Sequence, residues 1–442
     1  MKNLSRRSFL KSASAATAGA IFIPNMMSCS PNNRLNVAVI GVGGRGRVCW
    51  SKIPAENIVA VCDVDSQRAA EGFQMLPDAK KYKDFRIMFD EMASEIDAVI
   101  IATPDHTHFP ATMAAMELGK HVFVEKPLAH NIWQVRTMKK AAKHYGVISQ
   151  MGNQGHTTNG IRLIKEWYDA GVLGQVKEVH GWMEGFKPTD STYPPPKQPV
   201  PSHLDWDLWL GPAAYRDYSP AYCPGLWRLW YDFGSGRLGD WACHSLDGPF
   251  WALDLGMPHT VEASVEKPVL DHSFISEKSV TQFQFSARGD KDPVKLSWHE
   301  SSFPDMDPRE VGLEMWPKTG VIMIGEKNTL LTGLRPNNPR LILPEEEWNA
   351  FKENAPEQII PRIGDETPVQ EWVDAIKGDY LPGSNFDYAA DLTEMALLGV
   401  MAIRFNTRLE YDSKNMKVTN RSDLDGYIKE PARAGFSYGA NI

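Results

Sequence analysis

Gly41, Gly43 and Gly46 stand at G-x-G-x-x-G spacing in Gly41-Val42-Gly43-Gly44-Arg45-Gly46, between an apolar run and a segment of helical length. Glycines placed this way let the backbone turn tightly, let a pyrophosphate approach the amides and let the helix pack close to the strand. Asp63 ends the next apolar run, Ile58–Cys62. A carboxylate there can accept hydrogen bonds from adenine ribose hydroxyls and would repel a 2′-phosphate, so NAD is expected in preference to NADP. Two more polar segments end apolar runs: Thr103-Pro104-Asp105-His106-Thr107-His108 and Glu125-Lys126-Pro127. Ligands of open α/β sheets bind outside the carboxyl ends of the strands, so both segments point at the cofactor crevice. Further on, Asp240 and His244 are four apart and would share one face of a helix. Histidine suits proton transfer because its unperturbed pKa lies near working pH. Asp240, following Gly239, is also a natural helix N-cap.

The elements that must hold these groups alternate regularly. Leu35–Ile40, Ile58–Cys62, Ala98–Ala102, His121–Glu125 and Val147–Met151 read as strands. Helices are expected from Arg45 and over Asp84–Ser94, His108–Leu118 and Asn131–Tyr145, which makes βαβ units and a parallel sheet. After residue 152 the pattern changes. Asn159–Asp169 reads as a helix and Val176–Trp182 as a longer strand, followed by a stretch rich in Pro, Trp and Tyr from Pro188 to Tyr231. Thr260–Val265, Val280–Ser286, Val294–His299 and Val321–Gly325 read as strands of an antiparallel or mixed sheet, and Tyr388–Phe405 as a strong helix. The expectation is a Rossmann dinucleotide-binding domain over residues 34–152 and an α+β domain with a large open sheet over 153–442.

On the glycine loop, Thr103–His108, Glu125-Lys126-Pro127 and Gly239-Asp240-Trp241-Ala242-Cys243-His244, the chain resembles the glucose–fructose oxidoreductase and inositol dehydrogenase family, written Gfo/Idh/MocA. The resemblance covers about residues 34–410. It implies an oxidoreductase that moves hydride between NAD and a secondary hydroxyl of a sugar, polyol or glycoside; C3 of a glycoside is the preferred carbon because it suits an extracytoplasmic location where glycans are dismantled. Lys126 matches the lysine that reaches the nicotinamide ribose and the reacting hydroxyl, where it would stabilise alkoxide charge. His244 matches the proton acceptor and Asp240 the aspartate that assists it; Asp247 could orient His244. The cofactor set implied is Gly41, Gly43, Gly44, Arg45, Gly46, Asp63, Thr103, Pro104, His106, His108, Glu125, Lys126 and Asn153. The substrate set implied is Lys126, Gln154, Trp227, Arg228, Asp240 and His244, with His156 open to a second reading as a helix cap. Six tryptophans between Trp206 and Trp251 suit a platform for sugar rings, or else a core. The family uses no metal in the hydride step, and His106 and His108 have no evident third ligand. Family relatives pair through an open sheet face, so a homodimer or homotetramer is expected, the face being apolar.

The main rival within the fold is an NAD-dependent glycosidase that oxidises C3 transiently; known examples carry a tyrosine-bearing motif where this chain has Asp240-Trp241-Ala242-Cys243-His244. A nucleotide-binding sensor is the second rival. Composition narrows the classes further. The chain has 442 residues, enough for two domains, with a net charge of −8 that argues against a nucleic-acid partner. Ser5-Arg6-Arg7-Ser8-Phe9-Leu10-Lys11 has the form of a twin-arginine export signal, and the apolar stretch Ala15–Ile23 is too short to span a membrane. Residues 1–30 are read as that signal segment, and a periplasmic location follows. Met26-Met27-Ser28-Cys29-Ser30 resembles a loose lipobox, so Cys29 is either a lipid anchor or lies near an ordinary cleavage site. The other cysteines show no C-x-x-C spacing and suggest no disulfide framework or zinc site.

Overall fold

The computed structural model describes residues 34–184, 194–268, 272–364 and 367–442, so the export signal and Cys29 lie outside the described residues. The first domain is built on six parallel strands: β1 (Asn36–Ile40), β2 (Asn57–Cys62), β3 (Lys80–Tyr82), β4 (Ala98–Ile101), β5 (His121–Val124) and β6 (Ser149–Met151). Their order is β3-β2-β1-β4-β5-β6. β1 pairs on one side with β2 and on the other with β4, so the strand order reverses beside the glycine loop. Such a reversal opens a crevice at the carboxyl ends of the strands.

Alternation along these strands sends side chains to two different cores. Val37, Val39, Val61, Ile100 and Phe123 join one cluster, while Ala38, Ile40, Cys62, Val99, Ile101 and Val124 join the other. The first cluster is completed from far along the chain. Helix Pro368–Gly378 adds Val369, Trp372, Val373 and Ile376, and the rings of Trp372 and Phe123 lie 5.9 Å apart. The nucleotide-binding domain therefore borrows a helix from beyond the boundary at residue 152. The helix expected from His108 begins earlier, at Asp105, because Pro104 holds its φ at −60° in the cap position and launches the turn. Helix Ser66–Met75 and β3 have too few apolar residues in register to be read from the sequence.

The second domain contains nine strands: β7 (Val176–Met183), β8 (Thr260–Glu266), β9 (Lys278–Phe285), β10 (Val294–Glu300), β11 (Gly320–Gly325), β12 (Thr329–Thr332), β13 (Arg340–Leu341), β14 (Arg408–Asp412) and β15 (Lys417–Val418). Their order is β13-β12-β11-β7-β10-β9-β8-β14-β15, with β7 and β10 parallel and the other pairs antiparallel. One face packs on helix Phe386–Phe405; Phe283, Phe285, Leu296 and Val261 meet Leu392, Ala396 and Leu398 in the same core. The opposite face differs from the apolar surface expected. Register brings Glu262, Gln282, Gln284, Lys295 and Glu178 onto it, with an ion pair of 3.3 Å between Lys295 and Glu178. Alternation alone cannot separate an apolar face from one carrying Gln, Lys and Glu between its buried positions. Among the described residues no helix is long and apolar enough to cross a membrane.

Candidate active site

A cleft of about 380 Å³ opens at the carboxyl ends of β1, β2, β4 and β5, with helix Gly236–Ser245 and the loop carrying Arg335 closing its far side. Gly41 forms the first bend, at φ +85°, and its amide donates to Cys62 O at 2.8 Å. A Cβ on Gly41 would sit 2.6 Å from Ala102 O, and one on Gly46 only 1.7 Å from Gly41 O. The turn thus has room for backbone alone, which is the cradle a pyrophosphate needs beside a helix N-terminus. Asp63 accepts from Val42 N at 2.9 Å and Asp65 N at 3.0 Å and faces the cleft. Burial raises its pKa, and those amides offset part of the rise. Arg45 opens the helix and its Nε donates to Glu125 Oε1 at 2.8 Å, so loop and E-K-P segment are tied together. Glycine cradle, ribose-side carboxylate and enclosing strand ends all fit a dinucleotide.

Lys126 and Asp240 meet where the two domains face each other. Lys126 Nζ donates to Asp240 O at 2.8 Å and to the Asp240 carboxylate at closer range. Asp240 lies inside helix Gly236–Ser245, whose N-cap position is Ser235, so the N-cap alternative for Asp240 falls. Burial opposes ionisation of Asp240, yet the charges of Lys126 and Arg228 hold its carboxyl below the usual range. His244, one turn on, is 5% exposed and its Nδ1 has no hydrogen-bond partner. Burial, then the charges of Lys126 and Arg335, push its pKa well below the ordinary histidine value. A neutral imidazole beside an ammonium can take a proton without first losing one.

Most of the expected residues line this cleft: Gly41, Gly43, Arg45, Asp63, Thr103, Pro104, Glu125, Lys126, Gln154, Trp227, Arg228, Asp240 and His244. Gly44 and Gly46 shape the loop without lining it. His106 and His108 are placed elsewhere, as corrections to the cofactor set. His106 is sandwiched between Trp209 and Phe233 with its ring nitrogens 2.9 and 3.2 Å from their carbonyl oxygens, of which the neutral ring can donate to one, while burial depresses its pKa to about 3. His108 lies between the two strand-end segments, its ring nitrogens 2.8 and 2.9 Å from Pro127 O and Thr103 O. Asp247 also departs from expectation. It binds His156 Nδ1 at 3.0 Å, Asn153 Nδ2 at 2.9 Å and Tyr388 Oη, in a buried knot that does not include His244. Asn153 belongs to that knot and lies behind the cleft wall; His156 does too, and Thr158 caps the next helix instead.

The tryptophans divide. Trp206, Trp209 and Trp230 are core residues, the first two stacked 4.8 Å apart, and Trp209 also shows an edge to the cleft. Trp227 and Trp241 line the cleft. Several lining residues escaped the sequence reading, two of them from far along the chain. Arg335 comes from the loop ahead of Pro336, which has turn residues and no periodicity. Phe436 reaches the cleft from the C-terminal segment, under the Arg86 guanidinium at 4.4 Å.

Residues 35–153 match the family described as "Oxidoreductase family, NAD-binding Rossmann fold" and residues 160–286 its "C-terminal alpha/beta domain". The chain belongs to this oxidoreductase family, Gfo/Idh/MocA. A levoglucosan dehydrogenase from Pseudarthrobacter phenanthrenivorans is 26% identical over 227 residues, 48% of this chain and 50% of that protein. A glycosyl hydrolase family 109 protein from Shewanella pealeana is 31% identical over 222 residues, 42% of this chain and 49% of that protein. The chain thus spans about half the length of these two curated relatives. The WlbA dehydrogenase of Bordetella pertussis, solved with NADH and UDP-GlcNAcA, superposes with a TM-score of 0.59 over 85% of this chain and 98% of that one, at 15% identity.

Proposed function

We propose that this chain is an NAD-dependent oxidoreductase acting on a secondary hydroxyl of a sugar, polyol or glycoside. The single observation that carries the reading is the meeting of Lys126, Asp240 and His244 in one cleft with the glycine cradle. Bound nicotinamide supplies the hydride acceptor. The protein's own residues supply the rest. His244, neutral and partly desolvated, takes the hydroxyl proton. Lys126 presents its ammonium to the oxygen as negative charge develops, worth most where water is excluded. Asp240 anchors Lys126 and returns some basicity to His244. Asp63 and the loop amides hold the adenosine side.

A levoglucosan dehydrogenase among the relatives supports the hydroxyl of a sugar as substrate class, and oxidation at C3 of a glycoside is the preferred version. A twin-arginine signal would export the chain folded and loaded with NAD, to the periplasm, with Cys29 as a lipid tether. Association into a homodimer or homotetramer belongs to the same proposal, through the open sheet face, where Val280, Ile322 and Ile324 stand among the polar residues. The glycosyl hydrolase relative favours one second reading, in which C3 oxidation is transient and the aglycone is released. Incubation with a glycoside panel separates the two. Keto-sugar with reduced nicotinamide supports the dehydrogenase, and free aglycone with unoxidised sugar supports the glycosidase.

A further inference from the structure

The His244 end of the cleft carries more positive charge than its own carboxylates neutralise. Lys126 is paired with Asp240, and Arg45 with Glu125. Arg228 and Arg335 are left over. Arg228 Nε is 3.6 Å from Asp240 Oδ1, a carboxylate that Lys126 already holds at closer range, and its side chain is 43% exposed. Arg335 donates to Gln154 Oε1 at 3.1 Å, and among the described residues no carboxylate forms an ion pair with it. Both come from the second domain, whereas the cradle for the dinucleotide's phosphates belongs to the first.

Each guanidinium also lies over a tryptophan. Arg228 is 4.1 Å from the ring centroid of Trp227, and Arg335 is 5.5 Å from that of Trp241. Stacking of this kind orients the planar fork of an arginine. It also occupies ring surface that a sugar's C–H face would otherwise use. Recognition is thereby shifted from aromatic stacking towards charge.

We propose that the sugar accepted by this cleft carries an oxyanion, held by Arg228 and Arg335. The inference rests on the sugar-oxidoreductase reading above. Carboxylate, sulfate ester and phosphate ester share the required chemistry, since each offers oxygens to charge-assisted hydrogen bonds from a guanidinium fork. An oxyanion there would do a second thing. Arg335 is among the cations that depress His244. Neutralising its charge makes His244 a stronger base when substrate is in place.

The test uses the full chain loaded with NAD. Methyl glycosides of several hexoses are compared with their uronides, 6-sulfates and 6-phosphates, by kcat/KM for nicotinamide reduction and by calorimetric binding. One acidic class should exceed its neutral parent by at least about 10²-fold, as expected of one or two charge-assisted bonds. The Arg228→Met, Arg335→Met double variant should bring that ratio below about tenfold, and its retained NAD reports that it has folded. Which acidic class leads identifies the oxyanion. Equal or faster oxidation of neutral glycosides overturns the inference and leaves the oxidoreductase reading intact. Tight binding of an acidic sugar without hydride transfer does the reverse. An unchanged preference in the double variant, or no tighter binding of any acidic sugar, also overturns it.

Discussion

The two walls of the cleft are assembled by different rules. On the first-domain wall the expected contributors follow their strands directly: Gly41, Gly43 and Arg45 after β1, Asp63 after β2, Thr103 and Pro104 after β4, Glu125 and Lys126 after β5. A parallel sheet places all strand ends at one edge, so short local motifs suffice to define that wall. The second-domain wall gathers Gln154, Trp227, Arg228, Asp240, His244 and Arg335 from segments scattered over nearly two hundred residues. Its chemistry depends on how the large sheet and its helices pack. The lesson is that the wall proposed for the cofactor is set by local sequence and the wall proposed for the substrate by tertiary assembly.

The largest effect expected lies on the first wall. Gly46→Ala forces a Cβ to within 1.7 Å of Gly41 O, so NAD binding should fall by at least about 10³-fold in calorimetry, since backbone has nowhere to yield. Normal NAD content in that variant would break the claim that the loop is a cradle. Next, Trp372→Ala should cost about 3–5 kcal/mol in urea unfolding, because the residue is fully buried against the nucleotide-binding sheet. A loss below 1 kcal/mol, roughly a surface-level change, would mean that the first wall stands without help from the distant helix.

Smaller effects sharpen the second wall. His244→Ala and Lys126→Ala should each slow hydride transfer by about 10²-fold or more while retaining NAD. Because His244 is already neutral well below the ordinary histidine pKa, the wild-type rate should hold between pH 8 and 6. A roughly fourfold fall across that interval, which is what titration of an ordinary imidazole near 6.5 gives, would contradict the assigned environment.

A last effect concerns stability. His106 and His121 are held by burial at about 3 and about 4, against an ordinary value of 6.5. Their folded forms stay neutral while the unfolded chain takes up protons. The stability they contribute is complete above pH 6.5 and is lost as pH falls towards 4, at up to about 1.4 kcal/mol per pH unit for each group. Urea midpoints should fall over that range in the wild type and fall less in His106→Gln. Equal slopes in the two proteins would place the proton uptake elsewhere.

Legibility in the sequence followed the same division. G-x-G-x-x-G, Asp63 and E-K-P were readable because each sits beside a strand whose apolar run is unmistakable. The exception is instructive: His106 and His108 share a segment with Thr103 and Pro104, yet helix Asp105–Met116 turns them into the core. Helix Pro368–Gly378 could have been found, since Val369, Trp372, Val373 and Ile376 recur at helical spacing after a Thr-Pro start. Its docking partner could not, because nothing local says which sheet an amphipathic helix covers. Arg335 and Phe436 were invisible for the same reason, as loop residues whose place is set by elements packed around them. Asp247 was misassigned because spacing along a helix ignores neighbours such as Tyr388 that arrive from elsewhere.

The central claim is that Lys126, Asp240 and His244 direct hydride from a sugar carbon to bound NAD. It is tested most directly with glycosides deuterated at each secondary carbinol carbon, incubated with the NAD-loaded chain. The account predicts deuterium on the reduced nicotinamide and a keto-sugar one deuterium lighter, from one labelled position, and both products formed about 10²-fold more slowly or worse in His244→Ala. Reduced nicotinamide without deuterium from any position, or full transfer in His244→Ala, would contradict it.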